Sequence, residues 1–215
     1  KIVVFIDVKR ERNCMEDEDS KLFSKLLKKD MFKVAGCTNS ELAGDNVIKL
    51  DFFNKKVVVD LNRRKVFYPV EGGTGIKEKE KVVDGDSSTL ILHYLLAADG
   101  TPINGTWISY RELPGGLFYW KTIAGVLEPL KKKYGSDGEG FLNSSVRIGG
   151  VKYSKFRYSS IIYLFKMLPV LMILDEKSEE FEADVRVLFD RSASHYMEAY
   201  GIKLLVILIV KKLCS

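Results

Sequence analysis

The chain has 215 residues, 46% hydrophobic and 29% charged, a mix that fills a single core, keeps the surface wet and argues against disorder over most of the length. Thirty-four basic against 29 acidic side chains leave a formal charge of only +5, with both signs interspersed, which argues against a nucleic-acid or membrane-surface partner. The three cysteines, Cys14, Cys37 and Cys214, form no C-x-x-C pair, so their spacing offers neither a structural zinc nor an iron–sulfur motif, and a reduced, cytoplasmic protein is expected.

In chain order, KIVVFIDV (1–8) is β-branched and predicts a short strand, without the apolar core and cleavage site of a signal peptide. An acidic run at 16–19 leads into a helix expected over 20–33, with Ser20 as its cap and Leu22, Phe23, Leu26 and Leu27 on one face. Residues 47–68 predict a three-stranded meander whose turns, NKK and NRR, put Lys55, Lys56, Arg63, Arg64 and Lys65 at strand ends. A mobile linker is expected over 70–85; Gly72, Gly73 and Gly75 in it match no phosphate-loop pattern. The next helix is expected over 86–100, capped by Asp86 or Ser87 and stopped at Gly100. It is apolar nearly all round, so His93 on it reads as a core residue.

GTWISYREL (105–113) alternates like a strand, with Trp107, Ser109 and Arg111 on one face, Ile108, Tyr110 and Glu112 on the other, and Pro114, Gly115 and Gly116 halting it. A helix over 117–135 is expected to break near Pro129, and a short one over 137–150 to close at Gly149 and Gly150. Strands follow at 159–168, 170–176 and 183–190, the last two joined by an acidic hairpin. The chain closes on a helix over 192–213 with Ile202, Leu205, Val206, Ile209 and Leu213 at helical spacing. Its apolar run LLVILIV is seven residues, far short of the roughly 20 that span a bilayer. Without steady strand–helix alternation, the expected class is α+β: one domain over 1–215, a mainly antiparallel sheet with an N-terminal meander and a C-terminal hairpin region, and four to five helices.

The block LHYLLAADGTPINGTWISYRELPGG, followed by LPVLMILDEKSEEFEADVRVLFDRSASHYM, resembles domain-of-unknown-function family 3786 of anaerobic bacteria and archaea, often labelled as iron–sulfur proteins. His93, Trp107, Ser109, Arg111, Glu112, Pro114, Gly115, Gly116, Pro169, Glu179, Glu180, Phe181, Phe189, Asp190, Ser192 and Ser194 stand at the places of that pattern. The resemblance implies no established activity. Some relatives are encoded near corrinoid and one-carbon enzymes, and some carry a cysteine-rich module that this chain lacks.

By residue type, the strongest constellation is Arg111 and Glu112 with Glu179, Glu180 and Asp190. An arginine fork binds a carboxylate or phosphate bidentately, and paired acids hold a hard cation or act as acid and base; alternatively Arg111 forms a structural ion pair with one of the acids. His93 and His195 together with Asp190 or Glu180 have the composition of a two-histidine, one-carboxylate metal site, or serve structure only. Trp107, Tyr110, Phe118, Tyr119 and Trp120 line a pocket for a flat cofactor or belong to the core. The expected function is a binding or accessory protein that presents Trp107, Arg111 and the acidic hairpin to a cofactor-bearing protein partner or small ligand of corrinoid or one-carbon metabolism. The alternative is a metal-assisted hydrolase or transferase using Glu179, Glu180, Asp190 and Arg111. The oligomeric state stays open.

Overall fold

A computed structural model describes residues 18–69 and 80–215; the strand expected at 1–8, Cys14 and the glycines at 72, 73 and 75 lie outside the described residues. Among the described residues, six helices and two antiparallel sheets of five strands make the α+β class, one sheet more than expected. In chain order they are helix α1 (18–26), α2 (Met31–Thr38), strands β1 (Glu41–Leu42), β2 (Val47–Phe52), β3 (Lys55–Asp60), β4 (Lys65–Tyr68) and β5 (Lys81–Val82), then α3 (Gly85–Ala97) and β6 (Trp107–Ser109). After them come α4 (Trp120–Tyr134), α5 (Gly138–Arg147), β7 (Val151–Lys152), β8 (Tyr158–Phe165), β9 (Leu168–Asp175), β10 (Asp184–Asp190) and α6 (Ala199–Cys214). The first sheet runs β1-β2-β3-β4-β5 and contains the expected meander; the second runs β6-β10-β9-β8-β7.

Several helix boundaries differ from expectation, each for a local reason. The helix expected over 20–33 is two helices, because Asp30 has extended backbone and its carboxylate accepts from the N–H groups of Phe32 and Lys33, starting α2 anew. Ser20 lies inside α1 rather than at its start, and its hydroxyl accepts a 2.8 Å bond from Arg64. Asp84, not Asp86 or Ser87, caps α3 by accepting from Ser87 N–H at 3.0 Å, and α3 ends at Ala97, three residues before Gly100. The end of the expected linker is ordered, since Lys81 and Val82 pair with β4. Helix α4 continues through Pro129, which removes one N–H donor without dividing it. At the C-terminus a short 3-10 helix over Arg191–His195 precedes α6, because Asp190 caps it by accepting from Ser192 N–H.

The two sheets meet at the tip of the β2–β3 hairpin. Phe52 pairs with Lys55, leaving a two-residue loop in which Phe53 and Asn54 both have positive φ (49° and 56°), the backbone of a type I′ turn. A bulky residue seldom accepts that conformation. Tertiary structure holds it here: the Phe53 ring is buried and its N–H donates to Leu164 O of β8 at 3.1 Å. Next to it Phe165 is fully buried, 5.4 Å from the Phe52 ring and stacked on Tyr94 of α3 at 4.0 Å. Tyr94 in turn donates its hydroxyl to Thr38 O at the end of α2. Helix α6 lays Ile202, Leu205, Val206, Ile209 and Leu213, all fully buried, into the same core.

Phe165 therefore joins both sheets and α3. Phe165→Ala is expected to cost about 3–5 kcal/mol, the range for removing a buried aromatic, read as a lower urea midpoint with an unchanged slope.

Candidate functional site

The stretch from Trp107 to Trp120 folds differently from its alternating pattern. Only Trp107–Ser109 is strand, paired with Leu188–Asp190 of β10 so that Trp107 faces Asp190 in register. The chain then tightens into a 3-10 helix over Tyr110–Glu112, because the Glu112 carboxylate reaches back to accept from both the N–H (2.8 Å) and the hydroxyl (2.7 Å) of Ser109. The Ser109 hydroxyl bond, with the backbone bond beside it, lowers the Glu112 pKa. Trp107 and Arg111 consequently do not share a strand face: Trp107 is half-buried in a T-shaped contact with Tyr153, and Arg111 is exposed.

Pro114, Gly115 and Gly116 reverse the chain. Gly115 has φ +75°, open to glycine at little cost, and a Cβ on Gly116 would collide with the Tyr110 carbonyl oxygen. The turn is pinned from below by Tyr110, whose buried ring meets Phe189 and whose hydroxyl donates to Ala199 O at 2.6 Å. Burial, and more weakly Tyr119, push its pKa up to about 12.

Above this pinned base lies a hollow of about 300 Å³, with Pro114, Gly115, Tyr119, Met197, Ala199 and Tyr200 among its walls. Of its walls Phe118 is 86% exposed and Tyr200 53%, and beside Phe118 in the chain Leu117 is 61% and Trp120 41% exposed, which together make an apolar, mostly aromatic rim. Three cations stand over these rings. The Arg111 guanidinium lies 5.3 Å from the Trp120 ring centre, Lys121 5.9 Å from the same ring and Lys203 5.7 Å from that of Tyr119. Among the described residues none of the three is paired with a carboxylate. Glu198 is the one carboxylate among the hollow's walls. A larger cleft of about 660 Å³ lies between α1, β4–β5 and the start of α3.

The other candidates are placed apart from Arg111. Asp190 is fully buried at the end of β10, where its two oxygens accept from the N–H groups of Asn104 (2.9 Å) and Gly105 (2.6 Å) and from the N–H and hydroxyl of Ser192 (2.9 and 2.7 Å). Burial alone would raise its pKa, but these bonds, led by that from Asn104, outweigh it and hold the carboxyl below its ordinary value. The carboxylate thus clamps the loop before Trp107. His195 extends the clamp through a 2.7 Å contact to Asp99, whose pKa falls to about 2, mainly through that bond, and Tyr196 donates its hydroxyl to Thr101 O. His93 is exposed on α3, 3.6 Å from Glu18, rather than in the core.

Glu179 and Glu180 stand on the exposed tip between β9 and β10, the length of β10 away from Asp190, or about 20 Å. The other carboxylates of this hairpin have their own partners: Asp175 pairs with Arg186, Glu182 with Lys177, Asp184 with Lys131, and Glu176 accepts from Gly138 N–H. Among the described residues no group of three or more His, Cys, Asp or Glu side chains could hold a metal ion. Cys37 and Cys214 are free. The exposed Leu117 and Tyr200 were not singled out by residue type; their only signal is apolar residues directly after a Gly-Gly break and after the Glu that starts α6.

No helix among the described residues is long and apolar enough to cross a membrane. A family model described as a domain of unknown function (DUF3786) matches residues 30–212. No curated protein and no solved structure matches the chain.

Replacing Asp190 by Asn removes the charge that four donors face, and is expected to cost on the order of 2 kcal/mol at pH 7. Because the folded pKa is depressed, the contribution is complete above the unfolded value of about 3.9 and is lost as pH falls through the folded value. Urea unfolding at pH 7 and at about pH 3 should therefore show the gap between wild type and D190N narrowing with acid.

Proposed function

We propose a binding or accessory role for this protein, which belongs to the DUF3786 family, with the rim of Leu117, Phe118, Trp120 and Tyr200 as its docking face. The observation that carries the reading is Phe118, a large apolar side chain left 86% exposed above a rigidly pinned turn. Burying such a ring is worth about 1.5–3 kcal/mol, so a fold that leaves it in water beside other apolar side chains keeps a surface ready for a partner. Exposed aromatics backed by arginine are the residues that dominate protein interfaces. The partner is read as a protein rather than a nucleic acid or a membrane, since the three rim cations are a local feature of a chain with nearly balanced charge.

The resemblance to proteins encoded beside corrinoid and one-carbon enzymes makes a cytoplasmic, cofactor-bearing protein of anaerobic metabolism the partner class to test first. A purified corrinoid protein titrated against this chain under anaerobic conditions is expected to bind, and Phe118→Ala to weaken binding by about tenfold or more while leaving the melting temperature unchanged. Equal affinity of wild type and F118A would sink the assignment of the face, and no binding by the wild type would sink the choice of partner.

A further inference from the structure

The hairpin between β9 and β10 is built to present one side chain. Ser178 N–H donates to Phe181 O and Phe181 N–H to Ser178 Oγ, closing a tight turn whose ring, Phe181, is 72% exposed. Glu179 and Glu180 directly precede that residue in the turn, exposed and without a cationic partner among the described residues. The base of the hairpin is fixed to the fold: Lys177 N–H donates to Gly135 O, Glu176 accepts from Gly138 N–H, and Asp184 pairs with Lys131 at 2.6 Å. An apolar anchor with unpaired carboxylates is thus held rigidly at one end of the molecule.

The docking face is its complement, an exposed aromatic rim with the unpaired cations Arg111, Lys121 and Lys203. Two independent rulers show that the two surfaces cannot meet within one chain. The rim sits at the N-terminal end of α4 and the hairpin is tied to its C-terminal end, 15 residues or about 22 Å away. Strand β10 separates them again, with the hairpin before Asp184 and the partner of β6 at Leu188–Asp190.

We propose that the hairpin of one copy of this chain docks Phe181 on the Phe118–Trp120 rim of a second copy, with Glu179 and Glu180 facing Arg111, Lys121 and Lys203. The contact is heterologous, head to tail, so a pair of copies keeps one unused hairpin and one unused rim between them, and assembly continues to a ring or an open chain. The proposal rests on the reading of the rim as a docking face and names the occupant it takes when no other partner is bound.

Light scattering or sedimentation from roughly 10 µM to 1 mM is expected to show a mass that rises above the monomer with concentration. The rise should shrink as salt shortens the Debye length from about 10 Å at 0.1 M to about 3 Å at 1 M. A rim variant (Phe118→Ala with Arg111→Glu) and a hairpin variant (Phe181→Ala with Glu180→Lys) should each remain monomeric. All four positions are exposed, and an unchanged melting temperature checks that both variants fold. Mixed together, the two should form a one-to-one dimer and nothing larger, since the mixture retains one intact hairpin and one intact rim. Wild type that stays monomeric throughout, association that survives in either variant, or a mixture that yields no dimer would each overturn self-docking. Binding of the corrinoid protein that F118A weakens, beside a monomeric wild type, leaves the docking face standing and removes only the second copy as its occupant.

Discussion

The contact on which the rest of the fold depends is the seat of the β2–β3 tip against β8. Phe53 occupies a left-handed position that costs on the order of 1 kcal/mol for a residue of its size, and it does so because its N–H reaches Leu164 O and its ring is buried. With that tip in place, Phe52 and Phe165 bring the two sheets into one core, and Tyr94 stacks α3 on the same ring. Without it, each five-stranded sheet would leave an apolar face in water. Tyr94 also shows how completely the junction is closed: burial pushes its hydroxyl well above the ordinary tyrosine pKa while it donates a hydrogen bond to Thr38 O.

The second sheet then positions the loops on one side of the molecule. Asp190 stands where β10 ends and gathers Asn104, Gly105 and Ser192, while His195 with Asp99 and Tyr196 with Thr101 tie the same loop further along. Residues whose types suggest acid–base or metal chemistry are here spent on holding backbone. A buried carboxylate with four donors has little capacity left for a substrate, and its lowered pKa records the same satisfaction. What the clamp supports is Trp107, the capped 3-10 helix and the Pro-Gly-Gly reversal, and at their end the exposed rim.

Much of the fold was legible because hydrophobic period and turn chemistry agreed: the meander over 47–68, the hairpin of the last strands and the Ile202–Leu213 stripe each obey one local rule. Where the reading failed, a single side chain competed with the pattern. Asp30 split a helix whose apolar face looked continuous, and Glu112 folded back on Ser109 where alternation suggested a strand running on to Leu113. His93 looked interior because its neighbours are apolar, yet it lies on the outer strip of α3. Whether Arg111 and Glu112 meet Glu179, Glu180 and Asp190, or His93 meets His195, depends on tertiary distance, to which residue type is blind. Arg111 took an aromatic partner, Trp120, rather than an acid. The rim was half visible: Phe118 and Trp120 stand out by residue type, whereas Leu117 and Tyr200 do not.

The exposed rings differ from the buried ones in what holds them. Tyr94, Phe52 and Phe165 are fixed by each other, so altering any one disturbs the sheet junction. Phe118 and Phe181 are fixed by backbone instead: the first by a glycine pair over Tyr110, the second by reciprocal bonds with Ser178. A side chain presented by a rigid backbone and contacting little of its own fold loses little conformational freedom when another surface covers it. The same rigidity makes the rim and the hairpin separable from stability, because the interactions that shape them remain when the rings themselves are removed.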